Sequence, residues 1–148
     1  MTVNYSEGVL VGYRWYDARN QTPLFPFGHG LSYTTFQYGD LRVERKQGEQ
    51  AAVSVRITNT GKRKGAEVVQ LYIQSPPEAE EPPKQLKGFE KIVLEPEESR
   101  VVALTLAGDS FAAWDAKNHE WKVHPGTYSI MIGSSSRDIR LKASLDYP

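Results

Sequence analysis

The 148-residue chain contains no cysteine. Disulfides, zinc–thiolate centres and a cysteine nucleophile are therefore excluded. Compartment stays open, because a domain of about 150 residues hides roughly 68–70 % of its unfolded surface and can fold without covalent staples. Excess charge is also missing: 18 Lys and Arg stand against 18 Asp and Glu. A nucleic-acid binder needs a basic surplus to displace counterions from phosphate, and none is present. The longest apolar runs are a few residues, such as Val101-Val102-Ala103-Leu104, far short of the ~20 needed to cross a bilayer. Histidine is scarce too. His29, His119 and His124 show no H-x-H or H-x-x-x-H spacing, so neither a metal site nor a cofactor is expected. The N-terminus, Met-Thr-Val-Asn-Tyr-Ser-Glu-Gly, lacks the basic start and apolar stretch of a signal peptide and reads like the middle of a protein.

What is there falls into two regions. Residues 1–33 are dense in aromatics, glycine and proline, and hold no sustained period of 2 or 3.6. Thr22-Pro23-Leu24-Phe25-Pro26-Phe27-Gly28-His29-Gly30 suits neither helix nor central strand, since proline removes backbone donors and glycine permits unusual dihedrals. Its apolar side chains still need cover, which predicts an extended arm lying on a neighbouring surface.

From residue 34 to 148 the pattern is regular. Val53, Val55 and Ile57 alternate with Ser54, Arg56 and Thr58, the period of a half-buried strand. The same alternation recurs at Val69-Leu71-Ile73, Val102-Leu104-Leu106, Tyr128-Ile130-Ile132 and Ile139-Leu141-Ala143, with shorter signals at Leu41-Val43 and Phe89–Leu94. Turn residues punctuate the runs at Asn59-Thr60-Gly61, Glu95-Pro96-Glu97-Glu98, Lys117-Asn118-His119 and Pro125-Gly126. The proline-rich acidic stretch 75–83 reads as a surface loop. Short alternating strands without a helical stripe predict an all-β, immunoglobulin or fibronectin type III-like antiparallel β-sandwich with an N-terminal arm.

Particular blocks narrow this further. Tyr5-Ser6-Glu7-Gly8, Gly12-Tyr13-Arg14-Trp15-Tyr16-Asp17 and Pro23–Thr34 resemble the junction leading into the C-terminal fibronectin type III-like domain of glycoside hydrolase family 3. Asn59-Thr60-Gly61, Gly65–Tyr72, Gln85–Lys91, Pro125-Gly126-Thr127-Tyr128 and Gly133–Ile139 are similar to blocks of that domain, in the same order. The resemblance implies a β-glucosidase-like retaining parent enzyme. That chemistry uses two carboxyl groups about 5–5.5 Å apart. In the family both lie upstream of this junction, so the resemblance implies that this chain is a non-catalytic accessory domain, with no catalytic residue of its own and with the parent's catalytic domains as its partner.

The expected docking residues are Tyr5, Glu7, Tyr13, Arg14, Trp15, Asp17, Phe25 and Phe27. Arg14 and Asp17 are spaced to form an ion pair that orients the arm. With its partner surface absent, the apolar arm would also favour self-association. Trp114 and Trp121, set around the Lys117-Asn118-His119 turn, are the candidates for a weak carbohydrate contact, and pairing across a hairpin is their ordinary structural use. An independent carbohydrate-binding module and a protein-interaction sandwich are the alternatives. The arm discriminates, since a free-standing module has no use for an apolar, Pro/Gly-punctuated segment of some thirty residues ahead of its first strand. Lys62-Arg63-Lys64 is a solvated turn tip, and Gly28-x-Gly30 lacks the helix and lysine of a phosphate loop.

Overall fold

A computed structural model describes residues 4, 6–48 and 50–147. Its strands are β1 (Phe36–Arg45), β2 (Ala51–Asn59), β3 (Gly65–Gln74), β4 (Gln85–Leu94), β5 (Ser99–Leu106), β6 (Ala112–Asp115), β7 (Glu120–Val123), β8 (Gly126–Gly133) and β9 (Ile139–Tyr147). A three-stranded sheet in the order β1-β2-β5 packs on a four-stranded sheet in the order β4-β3-β8-β9, while β6 and β7 form a separate hairpin. Every pairing is antiparallel. The chain crosses between the two sheets from β2 to β3, from β4 to β5, and from β5 through the hairpin to β8, so the fold is the expected sandwich.

Alternation explains the core. Val53, Val55, Ile57, Val102 and Leu106 of one sheet meet Val69, Leu71, Ile73, Ile92, Leu94, Ile130 and Ile132 of the other, all buried. At one end Phe111, Tyr128 and Tyr147 close the core as a ring cluster with centroids 4.7–5.4 Å apart. At the turn after β2, buried Asn59 ties the strand ends together. Its amide donates to the carbonyls of Arg63 (2.8 Å) and Leu94 (3.1 Å), and its Oδ1 accepts from Thr34 Oγ1 (2.6 Å) and the Gly61 N–H (3.1 Å). The Asn-Thr-Gly signal therefore reports a junction between the arm's end and both sheets.

Two features depart from the sequence reading. The arm contains a helix, α1 (Tyr13–Ala18), whose six residues are too few to show a stripe. The arm also lies on the chain's own sandwich. β3 is buried on both faces from Val69 to Ile73, because Gln70 and Tyr72, which alternation assigns to the outside, are covered by the arm. Opposite Tyr72, Met131 of β8 is buried on the same face.

Candidate functional site

The arm is held by hydrogen bonds and charge as well as by apolar contact. Gln70 is the first anchor: its amide donates to the carbonyls of Gly28 (3.1 Å) and Ser134 (2.6 Å), and its Oε1 accepts from Tyr72 Oη (2.6 Å). Gly28 has a φ of 78°, and a Cβ there would collide with the Gln70 amide, so glycine suits both the turn and the approach. Tyr13 is the second anchor. It stacks on Phe27 at 4.6 Å, meets Tyr72 edge-on at 6.2 Å, and its Oη accepts the Leu86 N–H at 2.8 Å.

The third anchor is ionic. Asp17 is only 4 % exposed and lies between Lys84 Nζ (2.6 Å) and Arg137 Nε (2.8 Å). Arg137 Nη2 also donates to the carbonyls of Tyr16 (3.1 Å) and Gln21 (2.7 Å), so one guanidinium grips α1 and the chain after it. Asp17 thus pairs with two distant cations rather than with Arg14, because its position in α1 turns it toward the β8–β9 turn.

Of the docking candidates, the structure brings Tyr13, Asp17 and Phe27 onto the sandwich. Arg14 is half-buried, close enough to depress the half-buried Lys87 amine, whose pKa is lowered first by burial and opposed by Glu81. Glu7 and Trp15 line a shallow depression of ≈480 Å³ with Leu10, Val11 and Tyr16. Phe25 stacks on His29 at 6.1 Å and leaves its other face bare. Tyr5 lies outside the described residues. The arm's outward surface is apolar: Leu24, Phe25, Leu31 and Tyr33 are 89, 71, 94 and 92 % exposed.

A cleft of ≈420 Å³ opens where the arm's end meets β1, β3 and β9, lined among others by His29, Tyr38, Glu67, Lys91, Asp138 and Arg140. It holds two carboxylates, but both are engaged. Arg140 Nε and Nη2 each reach an oxygen of Asp138 at 2.7 Å and Ser134 Oγ donates to it, which holds the Asp138 carboxyl below the usual range. Burial pushes the Glu67 carboxyl up against the lowering effect of the Tyr38 hydroxyl, which donates to it at 2.8 Å. Retaining hydrolysis needs a free nucleophilic carboxylate and an acid across the sugar, and this arrangement offers neither.

The Glu67 shift has a testable consequence. A carboxyl raised in the folded state stabilises the fold below its unfolded pKa and loses that contribution as the pH rises through the folded value. Glu67→Gln keeps an acceptor for Tyr38 and should raise Tm at pH 7 by about 2 °C, a value discounted because the carboxylate keeps part of its hydration. The gain should shrink toward zero near pH 4; equal melting curves for both proteins at pH 7 would refute it.

Trp114 and Trp121 oppose each other directly in the β6–β7 register, centroids 5.5 Å apart and 66° between planes. They are a cross-strand pair, as their spacing suggests, yet they remain 49 and 68 % exposed. Gln70, Tyr72, Lys84, Glu67 and Arg137 escaped the sequence reading. The available signal was the aromatic Tyr72 and apolar Met131 on faces that alternation assigns to solvent.

Residues 67–136 match the fibronectin type III-like domain family. The chain is 47 % identical over 147 residues to thermostable beta-glucosidase B of Acetivibrio thermocellus, covering 97 % of this chain and 20 % of that protein. It is 40 % identical to probable beta-glucosidase D of Aspergillus niger, covering 95 % and 21 %. Among solved structures it superposes on DesR, a beta-glucosidase from Streptomyces venezuelae in complex with D-glucose, with a TM-score of 0.93 at 40 % identity, covering 97 % of this chain and 19 % of that one. The family 3 beta-glucosidase of Bifidobacterium adolescentis gives 0.91 at 40 % identity, covering 96 % and 21 %. The chain spans about a fifth of the length of the relatives it matches.

Proposed function

We propose that this chain, a fibronectin type III-like domain of the glycoside hydrolase family 3 type with its preceding junction segment, is the non-catalytic, stabilising domain of a retaining β-glycosidase, splinted to the catalytic domains by its arm. One observation carries the reading: the arm has two apolar faces, of which Tyr13 and Phe27 lock onto the sandwich while Leu24, Phe25, Leu31 and Tyr33 stand bare. Four large side chains so exposed on one short segment exceed the scatter of a monomer's surface and mark an interface. The catalytic carboxylates and the sugar-selecting residues then belong to the four fifths of the relatives' length beyond this match.

The chain alone should give no turnover of an aryl β-glucoside. A chimera tests the docking. When this chain replaces the matching fifth of thermostable beta-glucosidase B, Leu31→Ser with Tyr33→Ser should lower the Tm of the chimera by several degrees and leave the isolated chain's Tm unchanged. Equal losses in both proteins, or none in the chimera, count against the splint; clear turnover by the isolated chain overturns the non-catalytic assignment.

A further inference from the structure

The two sheets present unlike outer faces. On the three-stranded sheet the outward positions of β2 are Ser54, Arg56 and Thr58, and Arg56 pairs with Asp40 at 2.7 Å. Val101 is the one large apolar side chain exposed on that sheet among the described residues. This is the polar face that alternation gives an antiparallel sheet in water. On the four-stranded sheet, Val69 and Leu71 of β3 and Ile92 and Leu94 of β4 point into the core, so the residues between them point out. The register pairs those outward positions as Ala66 with Val93, Val68 with Lys91 and Gln70 with Phe89. Phe89 and Val93 therefore lie diagonal to Val68, on either side of Lys91. Val68, Phe89 and Val93 are 37, 65 and 44 % exposed, an apolar patch where polar side chains would be expected.

The patch continues the arm's bare face. The cleft of ≈420 Å³ is lined both by Leu31 of the arm and by Val68 and Lys91 of the sheet, so a body seated on Leu31 also reaches β3 and β4. The charge at the centre narrows what that body is. Lys91 makes no ion pair among the described residues. The cleft's two carboxylates are committed, Glu67 to Tyr38 at 2.8 Å and Asp138 to Arg140 at 2.7 Å, and Glu90 is set by its register on the other face of β4. An ammonium covered by apolar surface without an anion is costly, so whatever covers this patch must bring a carboxylate. A second copy placed about a two-fold axis would set the patch against itself, lysine near lysine with no acid to answer either. The relatives extend beyond this match by four fifths of their length, and that part can supply the acidic complement.

We propose that the outer face of β3 and β4 is a second docking surface, on which an apolar segment of the parent enzyme's catalytic part covers Val68, Phe89 and Val93 and sets a carboxylate against Lys91. This rests on the reading of the chain as a domain splinted to that enzyme, and it adds a surface on the sandwich itself to the one on the arm.

The chimera with thermostable beta-glucosidase B tests this surface, with the isolated chain as control. Amine acetylation read by mass spectrometry should label Lys91 several-fold more slowly in the chimera than in the isolated chain, while Lys46, just past the end of β1, labels alike in both. Phe89→Ser and Lys91→Glu should each lower the Tm of the chimera by several degrees and move that of the isolated chain little, since both side chains are exposed there. Lys91→Glu should cost the chimera more than Lys91→Met, because the pairing carboxylate then meets a like charge. If Phe89→Ser unsettles the isolated chain, the labelling of the unsubstituted proteins decides, and equal labelling of Lys91 in both overturns the proposal. A Tm loss from Leu31→Ser with Tyr33→Ser but none from the sheet variants overturns this surface and leaves the arm's splint standing; no loss from any of them removes both. Sedimentation showing dimers of the isolated chain that Phe89→Ser abolishes would make a second copy the occupant and overturn it as well.

Discussion

Asp17→Ala should destabilise the isolated chain by about 3 kcal/mol, the loss expected when one member of a buried ion pair is removed and its partner stays behind. The geometry makes the arithmetic asymmetric. Asp17 answers two cations at once, Lys84 at 2.6 Å and Arg137 at 2.8 Å. Lys84 is itself mostly buried and has no other ion-pair partner among the described residues, so alanine would strand its ammonium. Arg137 is more exposed and keeps its bonds to the Tyr16 and Gln21 carbonyls, so it would suffer less. Double-mutant cycles separate the two. Asp17→Ala with Lys84→Met should recover part of the loss, because the stranded charge is gone, whereas Asp17→Ala with Arg137→Ala should lose more. Chemical denaturation measures all of these, and a shift below a few tenths of a kcal/mol for Asp17→Ala would show that the cluster is solvated and the latch ineffective.

The arm's release should follow. Tyr72 is buried under Tyr13 of the arm, so loosening α1 wets apolar surface on β3. Proteolysis within residues 19–35 should therefore accelerate in Asp17→Ala well before global unfolding, since local opening and global unfolding report different free energies.

How much of this was legible in the sequence depends on where each residue's partners lie. The strands were readable because side-chain alternation is local: Val53, Val55 and Ile57 declare their face within five residues, and the Asn59-Thr60-Gly61 turn declares itself within three. The Trp114–Trp121 pair was readable for the same reason, the turn between them being short. The arm's destination was not. Asp17 lies 67 positions from Lys84 and 120 from Arg137 in the chain, and no local pattern distinguishes those cations from their exposed neighbours. Arg14, three positions away on the same helix, was the natural local partner, yet Asp17 pairs with Lys84 and Arg137. Likewise Glu67 sits on the core-facing side of β3, where alternation offers no reason for a carboxylate. Only the fold brings Tyr38 and Arg140 near enough to explain it.

Gly133→Ala should be the most damaging single methyl in the molecule, with an expected loss of about 3 kcal/mol or more, at the upper end for overpacking because backbone rather than a side chain stands in the way. A Cβ at Gly133 would overlap the Asp138 carbonyl oxygen and lie 2.9 Å from both its carbon and Ile139 Cα. No rotamer relieves that, so the β8–β9 turn itself would have to move. That turn serves two structures. It closes the sheet through the Ser134 N–H, which donates to the Asp138 carbonyl at 3.0 Å, and it moors the arm. The Ser134 carbonyl accepts from Gln70, the Ser136 N–H donates to the Phe27 carbonyl, and Arg137 grips α1. A displaced turn should therefore lose the latch and the β8–β9 pairing together. Amide exchange separates this from an ordinary core defect. In Gly133→Ala, protection should fall both at the end of β8 and at the Leu86 N–H, which Tyr13 holds some distance away. Full protection at Leu86 in a protein that melts early would mean that the turn and the arm are energetically uncoupled, and that the sandwich carries its arm as a passenger.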